Sequence, residues 1–189
     1  MTQLLFNRLN LWASINKCQA GGQRRRGCVE QIMNIRLLYK KVKLYVLFID
    51  FSKAYDKVPR HKLIHVLKSL GCGKVMLRAT ETMYECTKNV MRAAVVTATA
   101  GVRQGAPSSC LLFIIYIDQM VKMLRREIGE DGFLGTLHSL LLMDDAVIMD
   151  GYLARYMCVR KLDVVRRYCD EYGMTMNDKN VIGGKTLYL

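Results

Sequence analysis

Two adjacent carboxylates, Asp144 and Asp145, interrupt an apolar run that extends from Leu140 to Met149. The flanks Leu140-Leu-Leu-Met143 and Ala146-Val-Ile-Met149 each read as a short buried strand. A pair of acids between such strands belongs at a hairpin, because Asp accepts tight-turn dihedrals and the chain must reverse there. The fold must therefore bury an antiparallel strand pair while its turn carries two negative charges. Two readings of that turn fit. It is either solvated, or it faces a divalent cation whose charge and preference for hard oxygen ligands offset the desolvation of the acids.

A second acid ends another strand. In Leu44-Tyr-Val-Leu-Phe-Ile-Asp50-Phe-Ser-Lys-Ala-Tyr55-Asp56-Lys-Val-Pro59, β-branched and aromatic residues run up to Asp50 and give way to a turn-like segment. Beside the Met143 hairpin, Asp50 would complete a three-carboxylate set able to hold two metal ions for phosphoryl transfer. Otherwise it is a turn acid. A third element, Gly101-Val-Arg103-Gln104-Gly105-Ala-Pro107-Ser-Ser109-Cys-Leu-Leu-Phe113, is a loop running into an apolar stretch. Gly105 permits close backbone approach to a ligand, and Pro107 can open a helix whose first amides are free, an arrangement suited to a nucleotide. An ordinary loop before a buried helix is the other reading.

Taken in order, these segments resemble motifs A, B and C of the reverse transcriptase palm, most nearly that of non-LTR, LINE-like retrotransposon polymerases. Phe48-Ile-Asp50-Phe-Ser-Lys-Ala-Tyr-Asp56-Lys-Val-Pro-Arg60 resembles motif A, the Gly101 to Phe113 segment motif B, and Leu142-Met143-Asp144-Asp145 motif C. Upstream, Gln19-Ala-Gly21-Gly-Gln-Arg24-Arg-Arg26 is similar to a further segment of the family, and Leu5-Phe-Asn7-Arg8-Leu9 to the helix before it. Tyr172-Gly-Met-Thr-Met-Asn177-Asp-Lys179 looks like motif D. The chain departs from the pattern at Leu142, Ser108 and Cys110, and upstream at Gly22, where the family has an aromatic residue, and Arg25, where it has glycine.

The resemblance implies an RNA-directed DNA polymerase adding dNTPs to a primer 3′-hydroxyl on an RNA template, with two Mg2+ ions and Mn2+ as the alternative. Asp50, Asp144 and Asp145 would bind the metal, with the Phe51 carbonyl as a further ligand. Tyr55 would exclude the 2′-hydroxyl of ribonucleotides. Gln104 and Gly105 would contact the incoming nucleotide, and Lys179 would lie near the leaving pyrophosphate. The implied fold is a right-hand palm with partial fingers and no thumb. Its single domain would span residues 1–189, with 1–42 and 59–100 as the fingers and palm connection and 43–58 and 101–189 as the palm core. With fingers strands, thumb and endonuclease expected to be absent, a catalytically silent nucleic-acid-binding fragment is the second reading. A nucleotidyl cyclase palm is the third, opposed by the extent of motifs A and B.

Composition agrees. The chain has 29 Lys and Arg against 16 Asp and Glu, and much of the +13 excess lies between Lys17 and Lys62, a bias that favours polyanion partners through phosphate contacts. Seven cysteines without a Cys-x-x-Cys pair favour reduced thiols over a disulfide framework or zinc ribbon. His61 and His65, four apart, have zinc spacing but no neighbouring acidic or cysteine ligand in sequence, and His138 carries no signal. The first residues lack a secretory pattern and the uncharged stretch Gln104–Ile117 falls short of a membrane span, so an intracellular, nuclear or cytoplasmic chain without membrane or identifiable protein partner is expected. Patterning predicts helices over 28–41, 60–70, 108–127 and 155–172, helix or turn around 74–86, strands over 43–50 and 89–98, and a strand pair over 139–149. The last helix is expected to pack through a stripe of Tyr156, Val159, Leu162, Val165 and Tyr168. Helices against a small antiparallel sheet make an α+β fold.

Overall fold

Strand β1 (Leu44–Ile49) has apolar residues on both faces, so the sheet containing it must be covered on both sides. It lies inside a four-stranded sheet of order β4-β5-β1-β6, formed with β4 (Ser139–Leu142), β5 (Asp145–Gly151) and β6 (Ile182–Gly183). The computed structural model describes residues 2–41, 44–85, 88–91, 94–103, 105–129, 139–151, 155–177 and 182–183. Around the sheet stand α1 (Thr2–Trp12), α2 (Cys28–Lys41), α3 (Ala54–Lys57), α4 (Arg60–Ser69), α5 (Lys74–Glu85), α6 (Pro107–Ile128) and α7 (Arg155–Tyr172). This is the expected α+β architecture of helices on a small antiparallel sheet.

Alternation assigns the faces. Leu47, Ile49, Leu141, Ala146 and Ile148 join the main core with α1, α4, α6 and α7, while Leu44, Val46, Leu140 and Met149 turn the other way and pack on Ile35 and Leu38 of α2. Helix α6 forms the centre of the main core, with every residue from Leu111 to Val121 buried. Its composition and length suffice for a membrane span, which exceeds the reading made from Gln104–Ile117, but 83% of the apolar window is buried within the protein. A helix apolar all round is what a two-sided core requires. Pro107 opens it as anticipated.

Most expected elements occur within a residue or two of their predicted bounds. The strand predicted over 89–98 is instead an antiparallel pair, β2 (Lys88–Met91) and β3 (Ala94–Thr97). No Gly, Pro, Asn or Asp marks the reversal between them, so periodicity reads through it. The stripe predicted for α7 is only partly the packed face. Val165 and Tyr168 are buried, but Tyr156 is 68% and Val159 52% exposed, and the inner face is completed by Cys158, Lys161, Val164 and Cys169.

Lys161 explains the rotation. Its ammonium lies 2.8 Å from Asp150 Oδ2 and donates to the Met149 carbonyl at 3.1 Å, with both side chains at most 1% exposed. The Cys158 thiol also approaches Asp150, at 3.5 Å, and burial followed by that carboxylate pushes its pKa up to about 12. A buried pair of this kind docks α7 on β5 in one register, and its desolvation is tolerated because both charges are compensated. Replacing Lys161→Met should cost about 3–5 kcal/mol by leaving Asp150 uncompensated. Adding Asp150→Asn to Lys161→Met should recover part of the loss, measured as denaturant midpoints.

Candidate active site

The β1–β5 ladder brings two distant acids together. Its register pairs Phe48 with Val147 and Ile49 with Ala146, so Asp50 leaves β1 alongside Asp145, which opens β5. Both fall on the α2 face by alternation. The far end of that face is covered by α2, whereas the carboxylate end borders a cavity of about 310 Å3 lined by Ile32, Ile35, Phe48, Leu140, Leu142 and Val147, with Asp50 and Asp145 at its edge. Phe48 is 40% exposed there.

The hairpin itself closes on the pair Leu142 and Asp145, so its two turn residues are Met143 and Asp144. The expectation that both acids occupy the turn is therefore shifted by one, with Asp145 belonging to the strand. Met143 has φ 62°, the left-handed value a type II′ hairpin demands at its first position and for which glycine is the usual choice. A left-handed side-chain-bearing residue costs about 1–2 kcal/mol locally, so surrounding contacts must hold it.

Asp50 is fixed from the opposite side. Asn177 donates its side-chain amide to Asp50 Oδ2 at 3.2 Å and its backbone amide to the Asp50 carbonyl at 2.8 Å, while Ser52 donates to the Thr175 carbonyl. These bonds flank the antiparallel bridge between Phe51 and Met176. In such a pair the Phe51 carbonyl points away from the 175–177 segment, toward the side where β5 and its hairpin lie. The Phe51 side chain is buried at 3% exposure, so only its backbone is available to a ligand.

Burial, then the charges of Asp144 and Asp50, raises the Asp145 pKa. Three like charges within electrostatic reach are a destabilising arrangement that a divalent cation reverses. The all-oxygen donor set of Asp50, Asp144, Asp145 and the Phe51 carbonyl suits such an ion. Among the described residues, however, no three His, Cys, Asp or Glu side chains are gathered tightly enough to form a closed site, so the carboxylates must draw in around the ion.

Tyr55, on α3, stacks on Phe113 of α6 with centroids 4.2 Å apart. Burial first, then Cys110 and Asp144, pushes its hydroxyl up to about 12, which keeps it neutral beside the carboxylates. Gly105 has φ 82°, and a Cβ there would meet nothing within 4 Å, so the loop is open on the side where close approach was expected. Gln104 and Lys179 lie outside the described residues, as does His138. Arg60 ties the approach to this loop onto the start of α4. Its guanidinium donates to the carbonyls of Gly101, at 3.0 Å, Tyr84, at 3.2 Å, and Ala98, and its backbone amide donates to Thr99. Arg60 is therefore a structural strap, not a free cation for polyanions. His61 and His65 line a separate cavity with Glu171, away from the carboxylates.

A segment to which the motif reading assigned no role holds the hairpin. Gln19 Oε1 accepts from the amides of Met143, at 3.0 Å, and Gly21, at 2.8 Å, and Gln19 Nε2 donates to the Met143 carbonyl at 3.0 Å. Gln19 and Leu141 form a parallel bridge along the outer edge of β4, in which Ala20 donates to the Leu141 carbonyl and Leu141 to the Cys18 carbonyl. Gly21 sits so close that a Cβ would lie 2.4 Å from Met143 N, and one on Gly22 would lie 2.6 Å from Ile114 Cδ1. The departure at Gly22 is thus accommodated by close packing. Arg25 keeps a left-handed φ of 64°, the conformation glycine favours. Arg26 pairs with Glu30 at 2.6 Å and donates to the carbonyls of Lys17 and Gln19, so of the three arginines only Arg24 and Arg25 face solvent.

A family model described as reverse transcriptase (RNA-dependent DNA polymerase) matches residues 1–181. The fold is similar to solved telomerase structures. A Candida albicans telomerase in complex with a TWJ fragment of telomeric RNA aligns with a TM-score of 0.71 at 12% identity, over 97% of this chain and 35% of that one. An apo telomerase of Candida tropicalis aligns with a TM-score of 0.69 at 14% identity, over 96% of this chain and 34% of that one. The chain thus spans about a third of the telomerase chains it matches.

The raised Asp145 pKa has a defined sign in stability. The folded state holds this proton more tightly than the unfolded chain, so the contribution is fully present below the ordinary carboxylate range and is lost as pH rises through the raised value. Without divalent cations, Asp145→Asn should therefore raise the thermal midpoint at neutral pH and change it little in acid. Scanning calorimetry at both pH values checks this.

Proposed function

Because this chain belongs to the reverse transcriptase family, we propose that it forms the palm and part of the fingers of an RNA-directed DNA polymerase that joins dNTPs to a primer 3′-hydroxyl. The observation that carries the reading is the β1–β5 register, which sets Asp50 and Asp145 side by side on one face next to the turn bearing Asp144. The motif pattern from Phe48 to Arg60 supports a LINE-like, non-LTR retroelement origin. Telomerases of similar fold, two of them solved with a fragment of telomeric RNA, support an RNA template as partner.

Mg2+ ions, or Mn2+, held by Asp50, Asp144, Asp145 and the Phe51 carbonyl would supply charge neutralisation and a more acidic primer hydroxyl. The protein's own groups do the rest. Asn177 holds Asp50 in position, and the cavity beside Phe48 gives an apolar wall to the sugar or base at the primer end. The Tyr55 ring, backed by Phe113, would exclude a 2′-hydroxyl by size. Gly105, where a Cβ would meet nothing within 4 Å, would admit the incoming nucleotide before α6, and Gln104 would contact it. Lys179, two residues after Asn177 in sequence, would offset the charge developing on the leaving pyrophosphate. Exposed Arg24, Arg25 and Arg103 supply phosphate contacts.

The alternative, a nucleic-acid-binding fragment without turnover, draws on the basic excess of the chain and the exposed Arg24, Arg25 and Arg103. Single-turnover extension of a DNA primer on an RNA template separates the two. For a polymerase, Asp50→Asn and the paired Asp144→Asn, Asp145→Asn replacement should each lower the rate about a thousandfold, because several kcal/mol of transition-state stabilisation depends on these ligands. Salt-sensitive duplex binding without extension favours the fragment. Tyr55→Val should raise ribonucleotide use relative to deoxyribonucleotide use by about tenfold or more, measured as the ratio of kcat/KM values.

A further inference from the structure

Gln19 is 1% exposed, and its whole amide is engaged with the carboxylate hairpin and its own loop. It meets Met143 as a peptide group of a neighbouring strand would, accepting from the Met143 amide and donating to the Met143 carbonyl, each at 3.0 Å. Met143 is the residue the turn needs most help to hold. It has a left-handed φ of 62° and immediately precedes Asp144. In a two-residue turn the Met143 carbonyl shares a peptide plane with the Asp144 amide, so whatever fixes that peptide sets where the Asp144 backbone, and the side chain it carries, stands.

Gln19 is well placed for this because it is itself immobilised. Its backbone lies in the bridge to Leu141, with Ala20 donating to the Leu141 carbonyl and Leu141 donating to the Cys18 carbonyl, each at 2.8 Å. Arg26 and the Gln23 side chain both donate to the Gln19 carbonyl, and Gln31 donates to the carbonyls of Cys18 and Leu141. Gly21 then presses on the turn with no room for a Cβ. We propose that Gln19 is a positioning residue which orients Asp144 for divalent-cation binding through a bidentate hydrogen-bonded clamp on Met143. This inference rests on the polymerase reading of Asp50, Asp144 and Asp145. Groups that orient ligands in this way typically alter metal affinity by about 10–100-fold when removed.

The test is Mn2+ binding by the full chain, followed by the electron paramagnetic resonance of free Mn2+, without primer or nucleotide. Binding by the wild type that is lost on joint Asp144→Asn and Asp145→Asn replacement defines the site. Against that reference, Gln19→Leu should weaken Mn2+ binding by about tenfold or more. Gln19→Met is neutral and of similar length but loses all three hydrogen bonds, so it should weaken Mn2+ binding as Gln19→Leu does. A core change on α4, Leu63→Ala, should leave Mn2+ affinity unchanged, which separates positioning from general loss of stability. Wild-type affinity in both Gln19→Leu and Gln19→Met overturns the positioning role while leaving the metal site intact. Should Gln19→Leu not fold, Gln19→Met alone decides. Absence of carboxylate-dependent Mn2+ binding in the wild type overturns the polymerase reading, and the positioning role with it.

Discussion

The antiparallel register between β1 and β5 is the constraint on which the rest of the molecule depends. Side chains alternate with a period of two, so slipping this pairing by one residue would send Asp145 to the helix-packed face and leave Asp50 alone on the other. The register is held by both faces at once. Leu47, Ile49 and Ile148 are buried under the main core, and Val46 and Met149 under α2, so a slip would expose apolar residues and bury charge on each side. Two-sided burial thereby does more than stabilise the sheet, since it sets the carboxylate geometry.

Two polar contacts from remote parts of the chain reach the end of that ladder. Asn177 reaches Asp50 from beyond α7, and Gln19 reaches the Met143 peptide from beyond α1. The like charges raise the local free energy, and these neutral amides fix position without neutralising it, which leaves the negative field available to a cation. The Asp150 and Lys161 pair at the other end of β5 is the opposite case. There charge is fully compensated and buried, and it serves docking. One strand therefore carries a compensated acid in the core and an uncompensated one at its open end.

Family membership and fold fit this division. The shared architecture with telomerase structures is retained at 12–14% identity, a level at which few side chains are common. What such distant chains share is the layering of helices on a small sheet. Arg26 and Arg60 show why basic composition alone is an incomplete guide to nucleic-acid contacts. Both are taken up by internal carbonyls and, for Arg26, Glu30.

The sequence by itself determined most of the helices, the strand before Asp50, the hairpin around Asp144 and Asp145, and the carboxylates at these strand ends. Apolar periodicity, Pro107 and the Asp144-Asp145 interruption are local signals, and local signals are legible without a structure. Ordered co-occurrence of the motifs extended this to the family. Tertiary structure alone decided which residues support the site. Gln19 lies 124 residues from Met143 and Asn177 lies 127 from Asp50, so nothing in their local patterns marks those partnerships. It also decided which face of α7 is inward, because a buried lysine reads as exposed until its aspartate is known. Propensity and patterning act within a few residues, whereas hydrogen bonds that position a charged group form between whichever segments the completed core brings together.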